Sequence, residues 1–366
     1  MMKKIVVVIF FLVSSFLTNA QSDSVAHTIF LLGDAGVAEE KVSVVFDELL
    51  KQVKPIENKS TIVFLGDNIY PNGMPSKNEK DREHAEAILQ YQLNQLIKTK
   101  AKTYYIPGNH DWDDGNENGL EYIKNQEQFI ENTLKNYNAF IPDSGNGEPA
   151  EIIINNSLVL IAIDTQWWLH PYQKGKSDSN KTAADVIKKL NFLLAKNKDK
   201  KIVVLGHHPL ISKGKHGGFF NIRNHIFPLT NIAKWAYLPL PIVGSLYPAY
   251  KSIFKNPQDA NHKKYKEMIA ELQTVFERHQ NIIYASGHDH NLQYIYQNNM
   301  HYIVSGSAGK EEYVKKLKEP NFSSKQQGFF KLSYLKNGLI IVEVYSVKTQ
   351  QKSAILLFKK VIKSKK

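Results

Sequence analysis

The sequence predicts an α/β protein in which two packed mixed β-sheets, flanked by helices, form a single domain. Three observations lead there. Short β-branched or aromatic runs alternate with segments of helical periodicity along most of the chain. Beyond His290 the helical periodicity stops and short strands follow one another. No internal repeat or long flexible linker divides the sequence.

The first element, residues 1–20, reads as an export signal rather than as part of the fold. Lys3 and Lys4 precede an apolar run from Ile5 to Leu17, and Thr18-Asn19-Ala20 forms a small-residue exit. The run is shorter than the roughly 20 residues a spanning helix requires. Cleavage near Ala20 would release residues 21–366 to the periplasm or the exterior as the folded domain. The chain has no cysteine, so neither a lipid anchor on that residue nor a disulfide is available, and stability must come from the core.

Strand-like runs then occur at TIFLL, TIVFL, TYYIP, IVVL and IIYAS, with a further one at Leu158 to Ile163. Between them, Val37 to Val53 places Val42, Val45, Phe46, Leu49 and Leu50 on one helical face. Ala85 to Ile97 does the same with Ile88, Leu89, Leu93, Leu96 and Ile97. Helices are also predicted from about Leu120 to Tyr137, Thr182 to Ala195 and His262 to His279. The strand-rich part, 301–361, divides into His301 to Ser305, Phe329 to Tyr334, Leu339 to Val347 and Ala354 to Val361, with a turn at Asn337-Gly338.

Residues 217–261 interrupt this alternation. Their middle, 235–250, carries no charge, and three prolines forbid a continuous helix. It is either a loop folded onto the domain or a lid and interfacial patch, which would recognise an apolar part of a substrate or make a peripheral membrane contact.

The formal net charge is +12. Such a balance draws in anionic ligands and surfaces. Apart from the tail Lys359 to Lys366 the lysines are scattered, and no recognition motif accompanies them, so nucleic-acid binding is not expected.

The five apolar runs end in polar signatures: Gly33-Asp34-Ala35-Gly36, Gly66-Asp67-Asn68-Ile69-Tyr70, Gly108-Asn109-His110-Asp111, Gly206-His207-His208-Pro209 and Gly287-His288-Asp289-His290. Asp, Asn, His and Tyr are metal-ligand types, and open α/β sheets place their chemistry at the carboxyl ends of strands. Five such ends point to one shared two-metal centre. Asp67 is the natural bridge, since a carboxylate between two cations offsets their repulsion at the roughly 3.5–4 Å such pairs adopt. Asp34 and Tyr70 would give one ion anionic oxygens, which suits ferric iron better than zinc. Asn109, His207 and one histidine of His288-Asp289-His290 would serve a divalent ion. In an extended segment residues i and i+2 point the same way, so each imidazole of that pair can take one metal.

In this order the motifs resemble those of the calcineurin-like metallophosphoesterases and, more narrowly, the small purple acid phosphatases of tartrate-resistant type. The likeness runs from Asp34 to His290. It implies an αββα sandwich and hydrolysis of phosphate esters at a dinuclear centre. It also implies Fe(III) held by Asp34, Asp67, Tyr70 and His290, and divalent Fe, Zn or Mn held by Asp67, Asn109, His207 and His288. The wider superfamily carries a histidine two residues after the first aspartate; here that position is Gly36, and Tyr70 stands where most relatives have no tyrosine. The resemblance gives Asn109, His110 and His216 contact with the phosphate, and His110 or His216 the proton for the leaving oxygen. His208 is expected behind the ligands or orienting its turn, His170 in a structural place, and Asp164 capping a strand end. An acid phosphomonoesterase acting on a small-molecule phosphate ester is the expectation. The alternatives are a phosphodiesterase or lipid-headgroup phosphate hydrolase and, as a non-enzyme, an exported module that binds polyanions.

Overall fold

The structure, a computed structural model, describes residues 25–172, 182–219, 256–280, 282–348 and 351–363. The export signal and the uncharged run 235–250 lie outside the described residues. Among the described residues no helix is long and apolar enough to cross a membrane.

Strands β1 (Val25–Leu32), β2 (Ser60–Phe64) and β3 (Lys102–Tyr105) run parallel. They are joined through helices α1 (Glu39–Val53) and α2 (Arg82–Leu96). Helix α3 (Gly119–Leu134) leads from β3 to the edge strand β4 (Ala150–Asn155), which pairs antiparallel with β5 (Leu158–Ala162). A short helix α4 (Thr165–Leu169) and helix α5 (Ala183–Lys196) precede β6 (Lys201–Leu205), and α6 (Lys263–Phe276) precedes β7 (Ile282–Ser286). β5, β6 and β7 are again parallel. Then come β8 (Leu292–Gln297), β9 (Met300–Ser305), β10 (Phe322–Ser324), β11 (Gly328–Leu335), β12 (Leu339–Lys348) and β13 (Gln351–Lys363). The first sheet has the order β13-β12-β11-β1-β2-β3, the second β10-β8-β9-β7-β6-β5-β4.

Alternating side chains explain the layers. Ile29 and Leu31 of β1 face Val203, Leu205, Ile283 and Ala285 across the middle of the sandwich. Phe30 and Leu32 point outward, into a cluster with Val42, Phe46, Leu89 and Leu93 of the first helices. On the other outer face Val159, Ile161, Ile202 and Val204 meet Leu190, Leu194, Met268 and Leu272. Strands covered on both faces are near-continuously apolar, which is why these runs show no polar alternation.

The helices lie close to their predicted spans, with differences at the ends. α2 starts three residues early at Arg82 and stops before Ile97, which is 57% exposed. α3 ends at Lys135 in the left-handed region, φ 52°. α5 begins where Thr182 and Asp185 cap each other reciprocally. Three strands were not predicted. β4 is a half-exposed edge strand, β8 follows the last motif without a breaker, and β10 is three residues long. The strand-rich end also divides: β9 joins the second sheet, whereas β11, β12 and β13 complete the first.

Candidate metal centre

The loops leaving the parallel strands meet at one edge of the sandwich, and all seven candidate ligands converge there. Asp67, His207 and His288 form one group whose ligand atoms lie within 4.8 Å of one another, and Asp34, Asp67 and His290 form a second. Asp67 belongs to both. Asn109 completes the first group, its Oδ1 lying 3.1 Å from His207 Nε2 and 3.0 Å from His288 Nδ1. Tyr70 completes the second, its hydroxyl lying 3.0 Å from Asp34 Oδ1, 2.9 Å from Asp67 Oδ2 and 3.0 Å from His290 Nε2.

Asp34, Asp67 and His288 adopt φ of 60°, 53° and 68°. Non-glycine residues in this left-handed region are uncommon, and such strain concentrates where side chains must be aimed. The value at His288 corrects the expectation for His288-Asp289-His290: the segment is bent, not extended. The two imidazoles still divide between the two groups, His288 facing Asn109 and His290 facing Tyr70, because the sharp turn carries them there.

Glycines let the loops close. A Cβ on Gly108 would collide with the Asp67 carboxylate. At Gly36 a Cβ would collide with the backbone of Asn68 and Ile69, so no side chain fits there. Gly36 instead bonds through its backbone, its N–H to Asp67 O at 3.0 Å and its carbonyl receiving Tyr70 N–H at 2.8 Å. The turn bearing Asp34 is thereby clamped to the turn bearing Asp67 and Tyr70.

The donor set fits cations. His207 Nδ1 donates to the Leu65 carbonyl at 2.8 Å and His288 Nε2 to the Gln258 carbonyl at 2.9 Å. Carbonyl oxygens only accept, so these outer nitrogens carry protons, and the inner nitrogens, 3.2 Å apart, face each other and Asn109 Oδ1. Burial and the neighbouring His216 hold His288 well below the usual imidazole range, leaving its inner lone pair free. Burial opposes charge on His207 and His290 as well. Asp67 overrides it for His207, raising the pKa to about 9, and Asp34 with Glu312 overrides it for His290, raising it to about 10. Burial likewise opposes charge on Asp67, yet His207 and His110 hold its carboxyl well below the usual range. Burial, with Asp34 and Asp67, raises the Tyr70 phenol well above its ordinary value. Without a metal, protons thus occupy the positions a cation would take, and a metal must displace them.

His110 lies beside Tyr70 and His216 beside His288, with side chains 26% and 19% exposed. The His110 ring lies 4.5 Å from that of Tyr70, its Nδ1 meets the Pro71 carbonyl, and its Nε2 is 3.9 Å from Asp67 Oδ2. The His216 ring lies 4.1 Å from that of His288, and its Nδ1 is 3.0 Å from Asp259 Oδ1. His208 is buried behind the ligands, between Thr165 Oγ1 at 2.8 Å and Gln258 Oε1 at 2.6 Å. Asp164 caps α4 by accepting Trp167 N–H, and it also accepts the Trp112 indole N–H. His170 rests on the Trp112 ring at 4.9 Å.

Sequence reading left several residues of this edge without a role. Asp111 accepts N–H groups from Gly108, Asn68 and Ile69, tying the second and third motifs together. Asp289 accepts from Ser212 and from His216 N–H, holding the His216 loop. Both acids lie inside the quoted motifs, so their position was a signal; Gln258, Asp259, Lys310 and Glu312 had none. A cavity of about 730 Å³, lined by Lys201, Ile282, Tyr294 and His301 among others, opens at the amino-terminal end of β6 and β7, and no candidate ligand lines it.

No curated protein matches the chain in sequence. Solved structures match in fold. GAP50, the anchor in the inner membrane complex of Plasmodium, is 18% identical with a TM-score of 0.54, covering 93% of this chain and 89% of that one. Purple acid phosphatase PPD1 from yellow lupin (Lupinus luteus) seeds is 13% identical with a TM-score of 0.52, covering 92% of this chain and 53% of that one. PhoD is 10% identical with a TM-score of 0.55, covering 92% and 70%. The sequence profile of the calcineurin-like phosphoesterases matches residues 27–306, from the first strand through all five motifs. The chain therefore belongs to the calcineurin-like phosphoesterase family, hydrolases that cleave phosphate esters with the help of bound metal.

Proposed function

We propose that this protein is an exported acid phosphomonoesterase that hydrolyses small-molecule phosphate esters at a dinuclear centre. One observation carries the reading: two donor groups share Asp67, one rich in oxygen and the other in imidazole. The oxygen-rich half, Asp34, Asp67, Tyr70 and His290, suits Fe(III). The half formed by Asp67, Asn109, His207 and His288 suits divalent Fe, Zn or Mn. Bound there, a metal pair supplies positive charge for the phosphoryl oxygens and lowers the pKa of water from 15.7 towards roughly 7.

The chain's own groups do the rest. Asn109 and His110 follow each other on one loop beside Tyr70, and His216 packs on His288, so each donor group has a histidine next to it to meet the phosphoryl group. Pro71 engages Nδ1 of His110, which leaves Nε2 to meet the ester and give the departing oxygen a proton. Asp259 engages Nδ1 of His216 in the same manner. An acidic-to-neutral optimum belongs to this reading, and a purely alkaline one would count against iron at Tyr70.

The uncharged run 235–250 favours a second reading, in which the leaving group is a lipid or another bulky alcohol. The net charge of +12 carries the rival from another class, a non-catalytic exported module that binds polyanions. Metal analysis with p-nitrophenyl phosphate turnover tests the proposal. Two bound metals, turnover and a visible phenolate-to-iron band that disappears in Tyr70→Phe are expected. A metal-free protein without turnover after reconstitution favours the binder, and a colourless protein with two divalent ions removes iron.

A further inference from the structure

Lys310 stands over the Tyr70 ring at the candidate centre. Its Nζ lies 2.9 Å from the centroid of the Tyr70 ring. The loop that carries it is fastened to the first motif, with Gly33 N–H donating to Ser305 O at 2.7 Å, Ala308 N–H to Gly33 O at 3.2 Å and Gly309 N–H to Asp34 O at 3.2 Å. The backbone that sets Asp34 therefore also sets Lys310. The ammonium group is attracted by Asp67, Asp34 and Glu312 and repelled by Lys41.

An ammonium over an aromatic face is attracted by the ring quadrupole, and more strongly when the ring carries anionic charge. The same charge repels a metal ion held at the Tyr70 hydroxyl in proportion to the ion's own charge. A trivalent ion thus loses more than a divalent one. We propose that Lys310 is a positioning residue that holds the Tyr70 ring and sets the charge selectivity of the Asp34/Asp67/Tyr70/His290 group, narrowing its preference for trivalent over divalent cations. The inference rests on the reading that this group holds a metal ion.

The test uses the full, metal-free chain titrated with Ga³⁺ and with Zn²⁺, two redox-inert probes, in mildly acidic buffer, for the wild type, Lys310→Met, Lys310→Arg and Tyr70→Phe. Lys310→Met is expected to raise the Ga³⁺-to-Zn²⁺ affinity ratio by on the order of tenfold, and Lys310→Arg, which keeps the charge, to restore the wild-type ratio. A lysine that merely filled space would change both affinities alike and leave the ratio unmoved. Where ferric iron is taken up, the phenolate-to-iron band of Lys310→Met should shift to longer wavelength, because the ammonium no longer stabilises the filled phenolate orbitals. If Lys310→Met fails to fold, Lys310→Gln carries the same comparison. A ratio within about twofold of wild type in the neutral variant overturns the role of Lys310 while leaving the metal site intact. Failure of the wild type to bind either ion, or identical binding by Tyr70→Phe, overturns the underlying metal reading and the proposal with it.

Discussion

Replacing Asp111 tests whether the candidate centre is held together by the acid that ends its third motif. Asp111 is fully buried. Its carboxylate accepts Gly108 N–H at 2.8 Å, Asn68 N–H at 2.9 Å, the Asn68 side-chain amide at 3.0 Å and Ile69 N–H at 3.2 Å. Burial and the nearby Asp67 push its pKa up to about 7, and these N–H groups pull it back. Asp111→Ala leaves the three backbone N–H groups buried without an acceptor, while the Asn68 amide keeps the Ile106 carbonyl at 2.9 Å. At about 1 kcal/mol each, the low end for such groups, the cost is about 3 kcal/mol. Asp111→Asn keeps one acceptor oxygen and turns an NH₂ towards the remaining donors, so roughly half that loss is expected. Equilibrium denaturation of the metal-free chain reads both values. Because the same donors lie between Asp67 and Asn109, metal affinity should fall together with stability. A loss below about 1 kcal/mol for Asp111→Ala would refute the reasoning, since it would mean the two loops are held by something else.

Asp67→Asn should abolish p-nitrophenyl phosphate turnover by removing the shared anion, and a near-normal rate would take Asp67 out of the bridging position. Gly36→Ala should lower the thermal midpoint by an amount corresponding to about 1–3 kcal/mol, because its methyl group meets backbone rather than a movable side chain; an unchanged melting curve would contradict the clamp. The pH dependence of the metal-free chain follows from His207 and His290, raised from 6.5 to about 9 and about 10. A raised folded-state pKa means that the folded chain holds protons the unfolded chain has released. The stabilisation is therefore complete below about pH 6.5 and fades as the pH climbs through 9 to 10. Denaturation midpoints across that interval should fall for the metal-free chain and stay flatter once metal has displaced those protons.

The β1, β2, β6 and β7 runs were legible because strands buried on both faces are near-continuously apolar, and their ends because a polar cluster behind a glycine interrupts such a run abruptly. Parallel strands bring those ends to one edge, so the convergence of Asp34, Asp67, Asn109, His207 and His288 follows from sequence and topology together. Other features had no local cause to read. β9 leaves its successors and pairs with β7, a choice made by burial of Ile303 in the inter-sheet core. The sharp turn at His288 comes from its N–H donating to Asp34 Oδ2 at 2.9 Å, across 254 residues of sequence. Gln258 and Asp259 orient His208, His288 and His216 from a loop with no motif of its own.

The sequence by itself determined the fold class, the helical faces and the kinds of side chain delivered at each strand end, because these depend on periodicity and on neighbours in the chain. Only the tertiary structure decided which imidazole meets which carboxylate, why Gly36 admits no side chain, and that Lys310 lies over Tyr70. Those are distances between segments far apart along the chain, set by how two sheets and their loops pack, and no stretch of sequence carries them alone.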